Sequence, residues 1–201
     1  MPMELLAALT VFAFVASATP GPNNLMLMTS GVNFGFQRTI PHMLGVTLGF
    51  AFMILVVGFG IAQVFAAEPR LYEVLKWVST AYMIWLAWKI AMSGPVSAQA
   101  NAAGKPMTFL QAALFQWVNP KGWAMALTGA AVYTVPAHYL LTLTIVAAVF
   151  GVICLPVVMC WASFGAGMRG FLQDPARVRV FNIAMAVLLL ASLYPVLAGW
   201  E

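Results

Sequence analysis

The chain has 201 residues, of which 63% are hydrophobic and 7% charged, and its formal net charge is +4. A soluble domain carries about 25% charged residues, so a water-soluble globular fold is excluded. No basic cluster or long polar tract suits nucleic acid. The length is therefore counted in membrane spans of about 20 residues each, and an all-α integral membrane protein is expected.

The N-terminus resembles a signal peptide: Leu5 to Val15 is apolar and Ala16-Ser17-Ala18 mimics a cleavage site. Yet no Lys or Arg precedes it, Glu4 does, and cleavage would remove half a span. An uncleaved first span from about Leu5 to Met28 is expected instead, interrupted by Thr19-Pro20-Gly21-Pro22-Asn23-Asn24. The two prolines remove backbone donors and clash with carbonyls one turn back. Gly21 is read as allowing angles that other residues avoid. A break inside a bilayer is tolerated where protein or a watery cavity satisfies the freed groups. The stretch is either a discontinuous span beside a polar site or a plain turn between short helices.

A short turn from Gly31 to Gly35 leads to Arg38 and a second span from about Pro41 to Ala66. The third runs from about Tyr72 to Met92, with Trp77, Trp85 and Trp88 near its ends like an aromatic belt. Gly94 to Pro106 is small and polar and reads as a connector. The fourth span, about Phe109 to Val135, contains Asn119-Pro120-Lys121-Gly122. The fifth runs from about Tyr139 to Gly167 with Pro156 as an expected kink, and the sixth from about Phe181 to Leu197. One transmembrane domain, residues 1–201, thus divides into a repeat over about 1–93, a connector over about 94–107 and a repeat over about 108–201.

Arg38, Lys89, Lys105, Arg169, Arg177 and Arg179 fall on one side, against Arg70 and Lys76 on the other. The basic side is cytoplasmic, so both termini are expected outside. Three spans per half means the second half enters the membrane inverted. Interruptions in corresponding spans then point to a transporter site between inverted repeats. A half-helix N-terminus carries unpaired N–H groups and partial positive charge, which suits a carboxylate. The opposite half-helix end offers carbonyls for an ammonium, and Asn23, Asn24 and Asn119 add donors and acceptors. Such a site suits a zwitterion, for which an amino acid is the common small example. Lys121 is read as part of the site, the alternative being a lysine that snorkels to the interface.

At these residues the chain resembles the lysine/threonine exporter (LysE/RhtB) family of bacterial inner-membrane proteins. The resemblance rests on Thr19-Pro20-Gly21-Pro22-Asn23-Asn24, Gly35-Phe36 with Arg38, Gly45 with Gly49, Ala81 to Lys89, and Val118-Asn119-Pro120-Lys121. The third-span segment looks most like the cysteine/O-acetylserine exporter branch. The resemblance implies a non-enzymatic exporter of amino acids or their derivatives, driven by the proton gradient. Read from the two breaks themselves, the substrate site is Pro20, Gly21, Pro22, Asn23, Asn24, Asn119, Pro120 and Lys121.

No Asp or Glu lies well inside a span, which leaves His42 as the candidate for proton coupling. Its alternative is a histidine at headgroup level. A competing reading, a transmembrane thiol–disulfide carrier, would use Cys154 and Cys160. Six residues apart on one helix, they would sit about 9 Å apart along its axis, too far to pair, and they read as packing residues. Gly45 and Gly49 form a small face for close contact inside the chain or in a homo-oligomer, whereas Gly31 and Gly35 are assigned to a loop. No metal-ligand cluster, phosphate-binding loop or nucleophile–base signature is present, so no metal or cofactor is expected.

Overall fold

The computed structural model describes residues 1–92, 105–168, 170, 172, 174–191 and 193–194. All regular structure among them is helical. The predicted connector falls mainly on residues 93–104, and these lie outside the described residues, as do Arg169 and the final residues 195–201.

The first break is present. Helices α1 (Met3–Ala18) and α2 (Pro22–Phe34) meet at 52°. Pro20 disfavours helical angles in the residue before it, and Thr19 is extended at φ −62°, ψ 141°. Pro22 opens α2 where a missing N–H costs nothing. Gly21, at φ −171° and ψ 176°, is in extended backbone that any residue adopts. The reading of Gly21 as an angle-maker is thus corrected; its contribution is space, as shown below.

Gly35 alone separates α2 from α3 (Phe36–Val56). Its φ of 78° lies in the left-handed region, where a Cβ would clash. Most of the predicted Gly31–Gly35 loop is therefore helix, and the second span begins before Pro41. α3 passes through a π turn (Val57–Ile61) into α4 (Ala62–Ala67). The Tyr139 hydroxyl donates to the Gly58 carbonyl in that turn at 2.8 Å. α5 (Pro69–Ala91) follows.

The second break is present too. α6 (Phe109–Phe115) starts at a capping box of Thr108 and Gln111, which satisfies two backbone donors. A single 3-10 turn, Gln116–Val118, leads to extended Asn119 and then α7 (Pro120–Val132), again with proline first. α8 (Tyr139–Met168) continues through Pro156, and α9 (Pro175–Ala191) starts earlier than the predicted sixth span.

Among the described residues, Phe36–Phe65 and Pro136–Met168 are long and apolar enough to cross a membrane, and the bent α1–α2 pair is a third if counted as one span. α8 packs against α1, α2 and α3; α3 also lies on α6; α5 pairs with α9. Glycines permit the closest approaches. A Cβ on Gly31 would strike the Ala162 carbonyl, and one on Gly165 the Met28 carbonyl. One on Gly45 would strike the Phe109 carbonyl, and one on Gly49 would lie 2.5 Å from Ala113 Cα. The Gly45/Gly49 face is thus used within the chain. Gly31 is corrected from loop residue to helix contact. The outer faces expose Val11, Phe14, Trp77, Trp88, Val152 and Val187, apolar surface of the kind a bilayer covers.

Candidate functional site

The two breaks lie against each other. Lys121, in the first turn of α7, reaches back to the end of α1. Its Nζ donates to the Thr19 carbonyl at 2.9 Å and to Thr19 Oγ1 at 2.7 Å. The lysine stem lies over Gly21, where a Cβ would come within 3.0 Å of Lys121 Cδ and 3.2 Å of Nζ. Glycine is present at this point to leave room for the lysine.

Amide side chains complete the junction. Asn23 Nδ2 donates to Gln116 Oε1 at 2.7 Å, and Gln116 Nε2 donates back to Asn23 Oδ1 at 3.2 Å. Gln116 is fully buried and also donates to the Ala112 carbonyl at 2.8 Å, which fixes it on its own helix. Asn24 turns toward α1 and donates to the Ser17 carbonyl at 2.7 Å and the Thr19 carbonyl at 3.0 Å.

These groups border a cavity of about 40 Å³, room for a few water molecules. Ser17, Asn23, Asn119 and Lys121 form part of its polar wall; Val46 and Phe50 form part of the apolar one. The first turns of both α2 and α7 line it, through Pro22 to Asn24 and through Lys121 and Gly122. First-turn N–H groups have no intrahelical acceptor, and neither helix has a side-chain cap. Two partial positive ends and one ammonium therefore converge on the same space. No Asp or Glu is among the residues lining it. The charge of these lining groups favours an anion over a cation.

Other expectations need revision. The carbonyl end of α1, expected to be open to an ammonium, already accepts from neighbouring side chains. The Ala16 carbonyl accepts from Thr19 Oγ1 at 3.1 Å, and the Ser17 and Thr19 carbonyls accept from Asn24 and Lys121. His42 is only 2% exposed, in the body of α3. Its Nδ1 has no partner among the described residues, and it is not among the residues lining the cavity. Cys154 and Cys160 are both free, one buried and one exposed. Cys154 is more than packing, since it also lines the cavity, with Thr47 Oγ1 3.9 Å from its sulfur.

Sequence reasoning missed Gln116, Ser17 and Cys154. Gln116 carried a usable signal: an uncharged polar residue in an apolar run, one turn before the second break. Ser17 was hidden by its resemblance to a cleavage site. Cys154 carried none, since a buried cysteine is ordinary packing.

The family model described as LysE type translocator matches residues 14–192. The cysteine/O-acetylserine efflux protein of Salmonella typhimurium (strain LT2) is 30% identical over 192 residues, covering 92% of this chain and 93% of that one. The protein of the same name from Escherichia coli (strain K12) is 28% identical over 193 residues, covering 94% and 95%. That from Shigella flexneri is 29% identical over 189 residues, covering 92% and 93%. No solved structure matches the chain. A family match over most of the length, with relatives aligned nearly end to end, places this membrane protein in the LysE-type translocator family.

Proposed function

We propose that the chain exports small amino acids and their derivatives across the bacterial inner membrane, as a proton-coupled secondary transporter. The observation that carries this reading is the convergence of Lys121 with the N-termini of α2 and α7 on one cavity. The names of the relatives support the same substrate class.

The substrate carboxylate takes the place of Thr19 at the Lys121 ammonium and accepts from the first-turn N–H groups. A carboxylate adds ion-pair attraction that the neutral Thr19 oxygens lack, which favours the exchange. A cavity of about 40 Å³ holds a few waters. Binding an amino acid therefore requires the two half-helix junctions to part, and parting them is the step that couples binding to a change of access.

Six spans in two inverted repeats, with both termini outside, remain the preferred architecture. The packing supports it. The first broken pair lies on α8, the second lies on α3, and α5 lies on α9. Exchange of first with fourth, second with fifth and third with sixth spans would give these pairings. Phe50 and Phe150, 5.3 Å apart edge to face, sit where α3 meets α8. For coupling, His42 is the candidate, a buried imidazole with an unpartnered Nδ1.

Inside-out vesicles carrying the protein should take up radiolabelled L-cysteine above empty-vesicle controls. A proton gradient, acid inside, should drive accumulation, and a protonophore should abolish it. Uptake no greater than in controls would remove the export reading; uptake indifferent to the gradient would remove proton coupling alone.

A further inference from the structure

Two residues that line the cavity each carry a buried polar atom with no hydrogen-bond partner among the described residues: Asn119 Oδ1 and Ser17 Oγ. Asn119 is 2% exposed and Ser17 is 8% exposed. An unpaired buried acceptor is expensive and calls for a partner. Asn119 is the more telling of the two. It stands at the N-cap of α7, where an asparagine oxygen ordinarily accepts a first-turn N–H, yet it makes no such bond. The first-turn N–H groups are left to the ligand, and so is the amide oxygen.

The Ser17 and Thr19 carbonyls at the end of α1 already accept from Asn24 and Lys121, so an ammonium would have to share them. Asn119 Oδ1 is an acceptor with both lone pairs unused, and the Ser17 hydroxyl both accepts and donates. The anionic end of a zwitterion belongs at Lys121. Resting on the amino-acid export reading, we propose that Asn119 Oδ1, together with the Ser17 hydroxyl, receives the substrate's α-ammonium group, and that the cavity selects small amino acids with uncharged side chains over dibasic ones. A second cationic group would share the space with Lys121 and find no carboxylate among the lining residues. The remaining walls include Val46, Phe50, Met125 and Val158, which favour a short, uncharged side chain.

The test is displacement of radiolabelled L-cysteine from the purified full-length protein under reducing conditions. The competitors are L-cysteine, N-acetyl-L-cysteine (which lacks the ammonium) and L-lysine. Wild type should bind L-cysteine at least about tenfold more tightly than either analogue, the value of one charged hydrogen bond. Asn119→Ala should weaken L-cysteine about tenfold while leaving N-acetyl-L-cysteine unchanged, so that the preference collapses. Ser17→Ala, a mild change within α1, should reduce the same preference and carries the test if Asn119→Ala does not fold. An unchanged preference in every variant that folds would overturn the subsite, as would L-lysine competing as well as L-cysteine. Absence of saturable L-cysteine binding in wild type would instead defeat the export reading, and the subsite with it.

Discussion

Lys121 is held by two oxygens of one threonine, and that arrangement explains how a cation is tolerated among apolar helices. A lysine at a bilayer centre costs about 2.5–3.5 kcal/mol on insertion scales. Thr19 offsets part of that cost by accepting at 2.7 and 2.9 Å, and a bound carboxylate would offset more. Gly21 is coupled to the same lysine by contact. Gly21→Ala should push the stem aside and weaken L-cysteine binding severalfold while the fold survives, because the Cβ would meet a flexible side chain rather than backbone. Unaltered L-cysteine affinity in a folded Gly21→Ala protein would contradict that contact. The Asn23–Gln116 pair makes a second residue-scale prediction. Gln116→Leu leaves both polar atoms of the Asn23 amide without these partners and should cost about 1–3 kcal/mol. Adding Asn23→Leu should recover part of the loss, which denaturation of the three variants would show as non-additivity. Asn23, Asn119 and Lys121 were legible in the sequence because polar residues in apolar spans stand out. The partners of Lys121 and Asn23 were not, because Thr19 and Gln116 are joined to them only once two distant segments meet.

Whole helices explain why the breaks meet. Proline at the first position of α2 and of α7 stops the preceding segment and starts the next one at no cost to the ladder. Both interruptions were therefore plain in the sequence. The π turn after α3 and the single-residue link at Gly35 were not, since neither changes the apolar pattern. Nor was the glycine packing between α2 and α8, where Gly31 looked like part of a loop. Two glycines of α8 give contrasting expectations. Gly165→Ala should destabilise the protein by about 1–3 kcal/mol, because its Cβ would meet the Met28 backbone, which cannot yield cheaply. Gly151→Ala has nothing within 4 Å of its Cβ and should be neutral or stabilising by up to about 1 kcal/mol, the helix-propensity difference. Thermal unfolding of the two variants in detergent would check the order; a reversed order would disprove the packing of α2 on α8.

At the scale of the molecule, composition alone identified a membrane protein, and paired breaks separated by a polar connector suggested two related halves. Which helix packs on which was out of reach, because apolar helices in a bilayer carry no strong pattern for which partner they choose; small residues decide it locally. The basic residues predict that both termini are extracytoplasmic, and reporter fusions at Glu201 should be active only outside the cytoplasm. Cytoplasmic activity at Glu201 would reverse that orientation without touching the site. The central claim is that Lys121 and the two half-helix N-termini hold the substrate carboxylate. Its most direct test is export of L-cysteine by Lys121→Met at equal membrane abundance in inside-out vesicles. A lysine that only snorkels would be dispensable, and methionine would insert more easily. The account predicts normal insertion with transport lost, and partial recovery in Lys121→Arg, whose planar fork does not replace a compact ammonium. Export by Lys121→Met at the wild-type rate would contradict it.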